Sequence, residues 1–184
     1  AMDQIEKDFI ELYSFQQKKY SEIENELGKT REEVRKLYEK LEPELKKIQK
    51  IRNKFTDKRQ KDFENDFKRF YNWFIAQEKK CGYCGISQEE LDIIFKEEKI
   101  LPLNDAIKRS SGALEIERLN STSNSYSPEN IILACPLCNN AKSNLIDETR
   151  WRILFVDPMR EYYKQLLGCE LKNPKPVECI LNTR

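Results

Sequence analysis

Apolar positions recur at helical spacing through most of the first eighty residues, and between residues 3 and 80 only Gly28 and Pro43 interrupt them. Phe9, Ile10, Leu12, Tyr13 and Phe15 predict a helix from Asp8 to about Gln17. Ile23 and Leu27 lead into Gly28, and Thr30-Arg31-Glu32-Glu33 has the Thr-x-x-Glu form of a capping box. The helix it starts places Val34, Leu37, Tyr38 and Leu41 on one face. Pro43 lacks an N–H and suits a first turn, which predicts a break near Glu42. A new helix would then carry Leu45, Ile48, Ile51 and Phe55. Phe63, Phe67, Phe70 and Phe74, with Trp73, continue the period and predict a core stripe rather than a base-stacking platform.

The pattern shortens after residue 80. Ser87-Gln88-Glu89-Glu90 is a second capping box, opening a helix that runs to about Glu98. Leu114 to Leu119 alternates as a short strand, and the polar stretch Asn120 to Asn130 reads as a loop. Ile131 to Ala134 reads as a second strand, and Asn139-Asn140-Ala141-Lys142 opens a helix. From Glu148 to about Leu167 the period is helical, with a break at Asp157-Pro158 and a stop at Gly168. Residues 170–184 hold two prolines and few apolar positions, and are expected to wrap the surface.

Composition narrows the chemistry. The chain has 184 residues, 39% hydrophobic and 35% charged, with a net charge of +1. Nine Phe, eight Tyr and two Trp argue against wholesale disorder. There is no histidine, which excludes Ser-His-Asp and Cys-His nucleophile systems and any imidazole metal site. No apolar run approaches the ~18–20 residues of a membrane span, and no signal peptide opens the sequence. Ala1 before Met2 reads as an expression remnant, and a cytoplasmic protein is expected.

Four of the six cysteines form two CxxC pairs, Cys81/Cys84 and Cys135/Cys138. Two such knuckles complete the tetrahedral sulfur shell of a structural zinc, one per chain. A disulfide framework fits poorly without a secretory signal, and a thioredoxin-like pair would leave the other CxxC idle. The 50 residues between Cys84 and Cys135 imply a substantial insertion between the knuckles, and the Phe stripe is expected to pack against the zinc unit. Cys169 and Cys179 lack this spacing and read as free thiols.

Strand, loop, strand and helix on a zinc base make a ββα unit. Leu114-Glu115-Ile116-Glu117-Arg118, Glu129-Asn130-Ile131 and Leu133-Ala134-Cys135-Pro136-Leu137-Cys138-Asn139-Asn140-Ala141-Lys142 resemble the HNH endonucleases of the ββα-metal superfamily. The resemblance covers about residues 78–146. It implies that Glu117 is the acidic ligand of a catalytic divalent ion, Asn130 the loop-pinning Asn, and Asn139 the second ligand. Oxygen ligands suit magnesium or manganese. Arg118 stands where the family carries its general-base histidine, and a guanidinium cannot accept a proton. It could grip a phosphate oxygen instead, leaving water activation to Glu115, Tyr126 or a metal-bound hydroxide.

Ile23, Leu27, Gly28, Val34 and Leu37 resemble the spacing of a DNA-binding helix-turn-helix, with Glu24 where a small residue is usual. That implies Lys29, Thr30, Arg31, Arg35 and Lys36 at the start of a recognition helix. Residues 46–61 carry Lys46, Lys47, Lys50, Arg52, Lys54, Lys58, Arg59 and Lys61 against Asp57 alone. Such a segment suits phosphate contacts, with a solvated helix face as the alternative. Lys46, Lys47, Lys50, Lys54 and, in the ββα unit, Lys142 join Lys29, Thr30, Arg31 and Arg35 as candidate nucleic-acid contacts.

The sequence thus predicts a mainly helical α+β protein: a helix-turn-helix-like region over 3–76, a zinc-bound HNH-like domain over 77–146, and C-terminal helices and tail over 147–184. The expected activity is metal-dependent hydrolysis of DNA by a restriction-type or mobile-element nuclease, with RNA as an alternative substrate. A homodimer is expected if the target is symmetric. The rival readings are a catalytically degenerate DNA-binding regulator and a protein–protein adaptor with an architectural zinc.

Overall fold

The computed structural model describes residues 2–97 and 112–168. Cys169, Cys179, the tail and the expected end of the helix at Glu98 lie outside the described residues. The chain divides into two compact units, residues 1–77 with 125–128, and residues 78–124 with 129–184. As expected, helices predominate among the described residues, beside a small two-stranded sheet.

The first unit begins with α1 (Gln4–Ile10), four residues before the predicted start. Asp3 and Glu6 form a reciprocal capping box there, which outweighs the polar character of the first turn. The helix continues as a π-helical turn over Glu11–Phe15, in which the Gln16 N–H donates to Glu11 O at 3.0 Å. α2 (Tyr20–Leu27) ends at Gly28, whose φ of 61° closes the turn, and Thr30 caps α3 (Arg31–Arg52). α4 (Asp57–Gln60), a 3-10 turn over Lys61–Phe63, and α5 (Phe67–Ala76) follow.

The break expected at Pro43 does not occur, because α3 passes through it. An interior proline forfeits one hydrogen bond and costs about 3 kcal/mol. Against that cost, Leu41, Leu45 and Ile48 are all buried, and their stripe stays continuous only in one straight helix. The core of this unit is aromatic. Phe70 stands 5.1 Å edge-on to Phe63 and 5.1 Å from Phe55, and Phe15 stacks on Phe67 at 5.6 Å.

The second unit holds α6 (Gln88–Lys96), β1 (Glu115–Arg118), β2 (Ile131–Ala134), α7 (Pro136–Lys142), α8 (Glu148–Leu154) and α9 (Val156–Leu166). β1 and β2 are antiparallel, pairing Glu115 with Ala134 and Glu117 with Ile132. Alternation puts Ile116 in the core and leaves Glu115 and Glu117 together on the other face. α7 starts three residues before the predicted Asn139, since Pro136 suits its first turn and the Cys135 sulfur accepts from the Cys138 N–H. The break between the last two helices falls at Phe155, and Pro158 sits inside the first turn of α9.

Candidate functional site

The two CxxC pairs meet. The sulfurs of Cys81, Cys84, Cys135 and Cys138 all lie within 4.8 Å of one another, and all four residues are buried. Cys84 and Cys135 sulfurs are 3.8 Å apart. Four thiolates at ~2.3 Å from a tetrahedral ion stand about 3.8 Å apart, so the donor set and spacing fit one metal ion.

Local backbone chemistry builds this pocket. The Cys81 N–H donates to Ile86 O at 2.8 Å and the Gly85 N–H to Cys81 O at 2.9 Å, which curls the first knuckle. Gly85 sits at φ 80°, and a Cβ on Gly82 would stand 3.0 Å from Ile132 Cδ1. Glycine therefore lets the knuckle press on β2, where the Gly82 N–H donates to Leu133 O at 2.8 Å.

Proton sharing among the sulfurs is uneven. Hydrogen bonds from Cys135 foremost pull Cys81 towards thiolate, and those from Cys138 foremost pull Cys135 the same way. The hydrogen bond with Cys135 is the foremost influence raising both Cys84 and Cys138. Sulfurs this close become four thiolates only with a cation among them, so metal binding releases protons.

Side chains distant in sequence brace the centre. Arg160 Nε donates to Cys84 O at 3.1 Å and Arg152 to Gly82 O at 3.0 Å, while the Arg152 guanidinium lies 4.9 Å over the Tyr83 ring. Trp151 and Tyr163 are buried beside them. Burial pushes the Tyr163 phenol up, and the neighbouring Cys135 sulfur adds to that shift. Burial also raises Tyr83, with the charge of Glu117 next in importance. The spacing of α8 and α9 marks these residues as core but carries no signal that they serve the sulfurs.

The oxygen-bearing face lies on β1 and α7. Asn139 Nδ2 donates to Glu115 Oε2 at 2.5 Å. Lys142 Nζ donates to Glu117 Oε1 at 2.9 Å. Thus Asn139 is partnered by Glu115 rather than by Glu117. Among the described residues no further hydrogen bond engages Glu117 Oε2 or Asn139 Oδ1. Both are oxygen donors, the ligand type that hard cations such as magnesium and manganese prefer.

Asn130 pins the loop: its Oδ1 accepts from the Asn120 N–H at 2.9 Å, and its backbone carbonyl accepts from the Leu119 N–H at 2.8 Å. Arg118 donates to Ser123 O at 2.8 Å and to Asn124 Oδ1 at 3.3 Å, so its guanidinium organises the loop from inside.

The nucleic-acid candidates fall into three groups. Lys142 has no solvent exposure, and its ion pair with Glu117 corrects its assignment as a phosphate contact. At the start of α3, Thr30 is the N-cap, Lys29 pairs with Glu33 at 3.1 Å, Arg35 with Glu39 at 3.5 Å and Lys36 with Glu32 at 2.9 Å; Arg31 is exposed. These alternating charges leave no uniformly basic face. Further along, Lys46 and Lys47 reach Glu42 and Glu44, each at 3.0 Å, while Lys50, Lys58 and Lys61 are exposed. Lys54 is half-buried and its carbonyl accepts from Arg59, and Arg52 turns inward over Phe67 at 3.7 Å. Exposed pairs of this kind are weak.

The four sulfurs gather a small unit of two antiparallel strands and a helix that carry acid and amide groups. A solved structure of similar form is that of the rare-cutting HNH restriction endonuclease PacI, with 24% identity and a TM-score of 0.41 over 56% of this chain and 67% of that one. At that similarity nothing about this chain's chemistry follows from the match. No protein-family model matches the sequence, and no curated protein does. No helix among the described residues is long and apolar enough to cross a membrane.

Proposed function

We propose that the protein binds DNA and hydrolyses its phosphodiester bonds at the ββα unit, with zinc on the four cysteines. The observation that carries this reading is the pair of unspent oxygens on one zinc-clasped frame, Glu117 Oε2 and Asn139 Oδ1. When bound there, a magnesium or manganese ion would polarise the scissile phosphate and stabilise the leaving oxygen. Glu117 is kept in place by Lys142, and Asn139 by Glu115. Asn130 and Arg118 hold the loop that follows β1, where the backbone of a substrate would enter. Exposed Lys46, Lys47, Lys50, Lys58 and Lys61 supply sequence-independent phosphate contacts, which makes binding steeply salt-dependent.

The test is a plasmid nicking assay with magnesium or manganese, comparing the native chain with Glu117→Ala. Metal-dependent nicking that falls at least a hundredfold in the variant is the expected result. Equal activity in both proteins, or none with either metal, would contradict it. Arg118 favours a second reading. A guanidinium spent on Ser123 and Asn124 is no base, which suits a DNA-binding regulator that does not cut. That reading predicts salt-sensitive retention on DNA without cleavage.

A further inference from the structure

Lys142 closes α7 and is wholly buried. Its ammonium has three donors, and three acceptors meet them: Glu117 Oε1 at 2.9 Å, Ser121 Oγ at 2.9 Å and Arg118 O at 3.2 Å. The Ser121 hydroxyl in turn donates to Ser143 O at 3.1 Å. Ser143 adopts φ 47°, ψ −143°, a conformation a residue with a Cβ rarely takes and one that persists only where its surroundings dictate it. One buried cation therefore ties the end of β1, the loop after it and the end of α7.

We propose that Lys142 is the positioning residue of this unit. It fixes which carboxylate oxygen Glu117 presents and holds the 119–124 loop against the end of α7. Stability alone does not account for the arrangement, since well-packed apolar side chains commonly replace a buried ion pair without loss. What an ammonium adds is direction: with Oε1 engaged, Oε2 is the oxygen left for a cation. This inference rests on the hydrolytic reading for the role of Glu117, but its claim about the loop stands apart from that reading.

The test uses the full-length, zinc-loaded chain and the variants Lys142→Met, Ser121→Ala, Glu117→Gln and the Lys142→Met/Glu117→Gln double. Calorimetric titration with manganese is run beside amide hydrogen exchange of residues 119–124, with zinc content and circular dichroism as controls of folding. Lys142→Met should weaken manganese binding about 10–100-fold, the usual effect of losing a group that orients a metal ligand. It should also speed exchange in the loop while retaining zinc. Glu117→Gln should lose as much manganese affinity, and adding Lys142→Met to it should weaken binding no further. Ser121→Ala should speed loop exchange and cost less manganese affinity, and it carries the test if Lys142→Met does not fold. Native loop exchange in both Lys142→Met and Ser121→Ala overturns the proposal, as does an equal manganese loss from Lys142→Met in both backgrounds. If the native chain binds no manganese, the hydrolytic reading fails, and loop exchange alone decides the role of Lys142.

Discussion

Residues 1–77 and residues 78–168 are held by different physics. In the first region, overlapping rings of Phe15, Phe55, Phe63, Phe67, Phe70 and Trp73 fill the interior, and most charge lies in exposed pairs such as Lys36–Glu32, with Glu6 buried and Arg52 turned over Phe67. In the second, short elements of four to eleven residues surround four sulfurs and a buried ammonium. An aromatic core loses stability in steps as atoms are removed. A tetrahedral sulfur centre fails at once when one ligand goes. Substitutions should therefore separate the two regions sharply.

The largest separation should come from Cys81→Ser or Cys138→Ser. A structural zinc contributes on the order of 10 kcal/mol to folding. Either variant should lose the metal and unfold the second region, while circular dichroism retains the helical signal of the first. Phe70→Ala should do the reverse. Phe70 is fully buried, so the expected cost is about 3–5 kcal/mol in chemical denaturation, with zinc content unchanged. Asn130→Ala removes the bond that pins the loop to the Asn120 N–H, and about 1–2 kcal/mol should appear as faster exchange at residues 119–124.

Smaller effects sharpen the picture of the surface. Thr30→Ala deletes the cap of α3 and should cost about 1 kcal/mol. The same cap carries a pH signature. Backbone donation from Thr30, with Lys29 and the Thr30 side chain, lowers Glu33 from an ordinary 4.5 to about 2. Because the folded value is the lower one, this contribution is complete above pH 4.5 and fades as acid titration approaches pH 2, which a pH series of denaturation midpoints would detect. Replacing Lys46, Lys47 and Lys50 with Ala should change stability by no more than about 0.5 kcal/mol. Yet it should lower the salt dependence of DNA retention by about three counterions, measurable by fluorescence anisotropy across salt concentrations.

Sequence reading reached the features that local chemistry decides. Both CxxC knuckles, both strands and the capping boxes at Thr30 and Ser87 depend on neighbours a few residues apart. It missed what depends on register and depth. Glu115 pairs with Asn139 across 24 residues, and Lys142 reaches Glu117 across 25. Alternation along β1 could have grouped Glu115 with Glu117, and the Asn139/Lys142 spacing could have put both on one helix face. Nothing in the sequence says that Lys142 turns inward. Pro43 misled for the opposite reason, since a local rule was overridden by the stripe of Leu41, Leu45 and Ile48. The π-helical turn at Glu11–Phe15 likewise has no local signature.

The account depends most directly on what the four sulfurs hold. Elemental analysis of reduced protein, purified without added metal, should find about one zinc per chain, with a strong chelator removing it together with the exchange protection of β1, β2 and α7. Protein that contains no zinc yet keeps those amides protected, or a Cys135→Ser/Cys138→Ser double variant that still retains the ion, would contradict it.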